Sequence, residues 1–122
     1  MRAAAATAGM LTVLMAPACD RPAAEAPDEG QALRRAAYRA FAARHRLAAC
    51  GVAEARADAR LQLDRFEELQ AFARRKGAGH ALWLGENDWH AVRPRAGAPD
   101  CAAPLPAFRA ALDALGEEIA AW

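Results

Sequence analysis

Four side chains in one stretch could do chemistry together: His80, Glu86, Asp88 and His90. Imidazole nitrogens and carboxylate oxygens are the donors a zinc ion takes, and the same pairing moves protons near neutral pH. Their spacing matches no HExxH, EF-hand or facial-triad signature. The element beneath them decides the rest. At about 100° per residue, Asp88 and His90 diverge by about 200° on a helix and share a face only in an extended strand. Trp83 and Trp89 interleave the set. In the plainer reading both rings anchor the segment in the core while the polar groups meet water. In a third, the Trp83/Trp89 segment is the contact surface of a partner-binding helical module.

Other chemistries are narrowed by composition. The 122-residue chain contains no Ser, and its only Thr residues are Thr7 and Thr12, so a serine or threonine nucleophile is excluded beyond residue 12. The eight glycines are scattered; Gly77-Ala78-Gly79 follows a helical pattern instead of opening one after a strand, which is the wrong context for a phosphate loop. No CxxC or CxxCH motif is present, and no cofactor is implied. Sixteen basic residues, fifteen of them Arg, nearly cancel fifteen acids to leave a net charge of +1, which argues against a nucleic-acid binder. Arg34, Arg35, Arg39, Arg44 and Arg46 make one segment locally basic; the plain reading is a solvated face, the sharper one a contact with anionic headgroups.

The elements that would position these groups read as helices. Alanine contributes 37 residues, and Val52, Val92 and Ile119 are the only β-branched aliphatics after residue 13, so a sheet is disfavoured. Asp28 and Gln31 have the spacing of a capping box. Leu33, Ala36, Ala40, Ala43, Leu47 and Cys50 then recur in steps of three and four. A second stripe runs Val52, Ala55, Ala59, Leu63, Phe66, Leu69 and Ala73, rotated by about 120° from the first, so Gly51 is expected to turn the chain. Arg74-Arg75-Lys76 followed by Gly77 has the chemistry of a helix C-terminus. The clearest stripe is Leu105, Phe108, Leu112, Leu115, Ile119 and Trp122, started by Pro104 and Pro106. Residues 80–92 fit a helix or a short hairpin, and the alanine-rich helical neighbours favour the helix. The expected fold is all-α, a small three- or four-helix bundle over residues 31–122, with alanines allowing close helix approach.

The start of the chain is different in kind. Met1-Arg2 is followed by a charge-free run from Ala3 to Met15, too short to span a bilayer but the size of a signal h-region. It leads into Ala16-Pro17-Ala18 and then Cys19. Residues 1–19 resemble a bacterial lipoprotein signal, with Ala16 where Leu is commonest and Pro17 an unusual choice. The resemblance implies removal of residues 1–18, lipid on Cys19, and residence at the periplasmic side of a membrane. Asp20 resembles the residue that retains some lipoproteins at the inner membrane. Simple cleavage after Ala18, giving a soluble periplasmic protein, is the alternative. Residues 19–30 hold no large apolar side chain after Cys19 and read as a tether. With Cys19 assigned to lipid, Cys50 and Cys101 remain as an even pair for a disulfide in an oxidising compartment. These features suggest an exported envelope protein, binding or structural in role and not an enzyme, whose partner is the membrane through the lipid, with any protein partner unspecified.

Overall fold

The computed structural model describes residues 30–52 and 56–122. The expected signal, Cys19, Asp28 and Ala55 lie outside the described residues. Among the described residues four helices follow one another: α1 (Gln31–Ala49), α2 (Ala57–Arg75), α3 (Gly79–Val92) and α4 (Pro104–Ala120), with a short 3-10 turn at Arg93–Arg95. No strand occurs among the described residues, so residues 80–92 form a helix and not a hairpin.

Each boundary has a local cause. Gly51, at φ 76°, closes α1: its N–H donates to the Ala48 carbonyl, and the Val52 N–H reaches back to that of Leu47. Gly77, at φ 83°, ends α2 in the same way, with Gly77 N–H on Arg74 and Ala78 N–H on Ala73. Both are Schellman closures, in which glycine takes the left-handed conformation that a Cβ disfavours. At the start of α2, Asp58 accepts from the Ala59 N–H at 2.9 Å and places a carboxylate at the positive end of the helix dipole. The Arg56 guanidinium, 2.8 Å away, holds the Asp58 carboxyl below the usual carboxylate range. At the start of α4, Pro104 and Pro106 carry no backbone N–H, so a side-chain cap has little to satisfy. The capping-box expectation for α1 is corrected: the N-cap is Gly30, in a left-handed conformation, with no side-chain cap, and Gln31 is the first helical residue.

α1 packs on α3 and α4, and α2 packs on the same two helices, so the consecutive pair α1/α2 sits diagonally across the bundle. Phe41, Phe66 and Phe108 meet in the centre, edge to face, with ring centroids 4.9 Å and 5.8 Å apart. The α4 stripe is buried at Leu105, Phe108, Leu112, Leu115 and Ile119, whereas Trp122 is 44% exposed. On α2 the buried face is Ala59, Gln62, Phe66, Gln70 and Ala73, with Leu63 and Leu69 only flanking it. The expected apolar stripe spanned both flanks of that face; the two glutamines lie nearer its axis.

One contact sets how closely α1 and α3 approach. A Cβ added to Gly85 of α3 would stand 2.6 Å from Ala37 Cβ and 2.9 Å from the Tyr38 nitrogen of α1. Real atoms do not meet at those distances, so only glycine permits the crossing. Ala36, Ala37 and Ala40 supply the matching small surface on α1, each nearly inaccessible.

The Cys50–Cys101 disulfide joins the C-cap of α1 to the loop before α4, with the Cα atoms 5.6 Å apart. Arg46 reinforces the link by donating from Nη2 to the Ala102 carbonyl at 3.1 Å.

Candidate functional site

α3 carries all four of the candidate chemical side chains, and its helical geometry separates them. Asp88 faces α1, where Arg34 grips it with both nitrogens of a fork, Nε to Oδ2 at 2.6 Å and Nη2 to Oδ1 at 2.8 Å. This bidentate hydrogen bonding holds the Asp88 carboxyl below the usual carboxylate range and raises the Arg34 guanidinium above its own. Glu86 and His90, four residues apart, share a different face and stand 3.6 Å apart. His80 lies nearly two turns before Glu86 and stacks on Trp83, with ring centroids 5.8 Å apart and planes 23° apart. The four do not converge. Among the described residues, no group of three His, Cys, Asp or Glu side chains is placed to hold a metal ion.

The two interleaved tryptophans also part company. Trp89 is buried against α1, edge-on to Tyr38 at 5.9 Å and tilted over His45 at 5.5 Å. Trp83 points outward, 54% exposed. The reading of both rings as core anchors therefore holds for one and is corrected for the other; the six-residue spacing places them about 120° apart on opposite sides of the helix's packed edge.

The basic segment of α1 divides in the same manner. Arg34 is committed to Asp88, Arg46 to the Ala102 carbonyl, and Arg44 lies over the rings of Phe41 and Phe66 at 5.5 Å and 5.3 Å. Arg35 and Arg39 are exposed. Three of the five arginines thus brace the bundle, through contacts to neighbouring elements that carry no signal in the α1 sequence, Arg44 on Phe41 being the one local contact.

Two of the concave features are lined by members of the candidate set. A groove of about 630 Å³ runs between the C-terminal half of α1, the N-terminal half of α2 and the end of α3, with Leu63 and Trp89 in its wall. Its rim mixes Arg44 and Arg93 with Asp64 and Glu67, and His45 and His90 edge it from α1 and α3. It offers polar contacts of both signs beside apolar walls, and no nucleophile with a base beside it. The second is a hollow of about 280 Å³ at the opposite end, where Gly30, His80, Leu84 and Trp122 meet. Against known proteins, no family model, no curated protein and no solved structure matches this chain.

Proposed function

We propose that the chain is an exported bacterial envelope protein, anchored by lipid on Cys19, whose helical domain serves a binding or structural role. The observation that carries this reading is the disposition of its three cysteines. Two of them, Cys50 and Cys101, are joined across the bundle, and a structural disulfide persists in an oxidising compartment outside the cytosol. The third follows a charge-free run and the small residues Ala16-Pro17-Ala18, the position in which a lipoprotein cysteine is acylated. No helix among the described residues is long and apolar enough to cross a membrane, so attachment through this domain needs the lipid or a surface contact.

The test is metabolic labelling with radioactive palmitate in a bacterial host. Label is expected on the protein and is expected to vanish in Cys19→Ser. Label that persists in the variant removes the anchor from the proposal. The metal-site alternative built on His80, Glu86, Asp88 and His90 is less well supported, because Asp88 is held by Arg34 and His80 by Trp83. The partner-surface alternative contracts to Trp83, the exposed ring of the pair.

A further inference from the structure

Four helix ends converge at one end of the bundle: the start of α1 and of α3, and the finish of α2 and of α4. Gly30 lies against the Trp122 ring, where an added Cβ would find Cη2 at 3.6 Å. Lys76 Nζ donates to the Ala120 carbonyl at 3.0 Å, and Gly79 packs on Arg74, tying the α2–α3 turn to the same end. Two of the four large apolar side chains left exposed among the described residues are Trp83 and Trp122. Both stand at this end, bridged by His80, which stacks on Trp83 and shares a hollow with Trp122.

We propose that this end of the bundle is a docking face for an anionic lipid bilayer. Three observations converge on that occupant. Tryptophan is the side chain that settles at the headgroup level of a bilayer, since its ring is apolar and its N–H is polar. Beside the rings, Arg74, Arg75 and Lys76 close α2, and Arg74 and Arg75 are exposed. Cations beside a bilayer are attracted to anionic headgroups. Finally, the described chain begins at this end, with Gly30 in contact with Trp122. Only the eleven peptide steps from Cys19 to Gly30 separate it from the proposed lipid, a reach of at most about 40 Å. The tether therefore enters the bundle at this end and keeps it within that reach of the membrane. In this the inference rests on the lipid-anchored reading above.

The experiment uses the full protein, processed in a bacterial host, purified in detergent and reconstituted into vesicles of phosphatidylglycerol and phosphatidylcholine brominated near the headgroup. Emission from Trp83 and Trp122 is expected to fall about two-fold or more, while buried Trp89 is unaffected, so that Trp83→Phe/Trp122→Phe abolishes the quenching. Arg74→Gln and Arg75→Gln are each expected to shift the docked-to-undocked ratio by about five-fold, the effect of one headgroup contact. The acyl mass on Cys19 is read on the same sample. Acylated protein whose tryptophans ignore the bromine overturns the docking face and leaves the anchor standing; a dimer by sedimentation in that case assigns the rings to a second copy. Quenching that is equal in purely zwitterionic vesicles, or unchanged by the arginine substitutions, overturns the anionic assignment. Protein without acyl mass overturns docking and anchor together.

Discussion

Gly85→Ala tests the closest helix crossing in the bundle. The added methyl would meet Ala37 Cβ at 2.6 Å and the Tyr38 nitrogen at 2.9 Å, about 1 Å inside ordinary contact. The methyl also meets the Arg34 carbonyl oxygen, so two of its three neighbours are backbone and α1 and α3 must separate. Overpacking of this kind costs about 1–3 kcal/mol. A site that obliges two helices to move apart belongs at the upper end. Against it stands a gain of about 1 kcal/mol, because alanine is a better helix former than glycine. The balance is a net loss of about 2 kcal/mol, or a lowering of Tm by about 10 °C in a domain of this size. Gly116→Ala on α4 is the internal control: its Cβ would touch Leu69 Cδ2 at 3.6 Å, an ordinary contact. There the propensity gain stands alone, and a rise of about 0.5–1 kcal/mol is expected. Urea titration followed by far-ultraviolet circular dichroism measures both. A Gly85→Ala protein as stable as wild type, alongside a stabilised Gly116→Ala, would refute the claim that Gly85 sets the α1–α3 separation.

Three further outcomes follow from the same structure. Removing the crosslink with Cys50→Ser/Cys101→Ser releases a loop of 51 residues' separation, a loss of about 4 kcal/mol in the chain-entropy treatment, to be read as a lowered urea midpoint. Because Arg34 stabilises the ionised Asp88 and lowers its folded-state pKa, the stability from this pair is fully present above the ordinary carboxylate value of about 4 and is lost as pH falls through the depressed folded value. Asp88→Asn is therefore expected to be less stable than wild type at pH 7, with the difference shrinking in strong acid; a difference that grows in acid contradicts the assignment. Trp89→Ala is expected to cost about 3–5 kcal/mol, and Trp83→Ala to stay within about 0.5 kcal/mol of wild type, compared by thermal denaturation.

The parts of this fold that a reader can take from the sequence are those decided within one helix or by one residue's backbone freedom. The stripe from Leu105 to Ile119 is local periodicity, and the turns at Gly51 and Gly77 need the left-handed conformation glycine alone adopts freely. The Cys50–Cys101 pairing follows from parity once Cys19 is set aside. What periodicity cannot supply is the register between helices. Gly85 in a helical pattern only lowers helix propensity, and its close approach to Ala37 is visible only once α3 lies on α1. The same holds for Arg34 and Asp88, 54 residues apart, whose pairing withdraws one member of the supposed chemical set. Trp83 and Trp89 look equivalent in sequence and are separated by the angle between them on the helix. On α2, burial of Gln62 and Gln70 displaces Leu63 and Leu69 to the flanks, a choice made by how α4 and α3 meet that face.

The proposal of a helical domain anchored outside the cytosol through lipid on Cys19 and closed by its disulfide is tested most directly by the intact mass of the protein from the membrane fraction, taken without reductant. The expected result is a chain that begins at an acylated Cys19 and is lighter than its reduced form by the two thiol hydrogens of Cys50 and Cys101. A polypeptide that retains Met1, carries no acyl group and has both thiols free contradicts it.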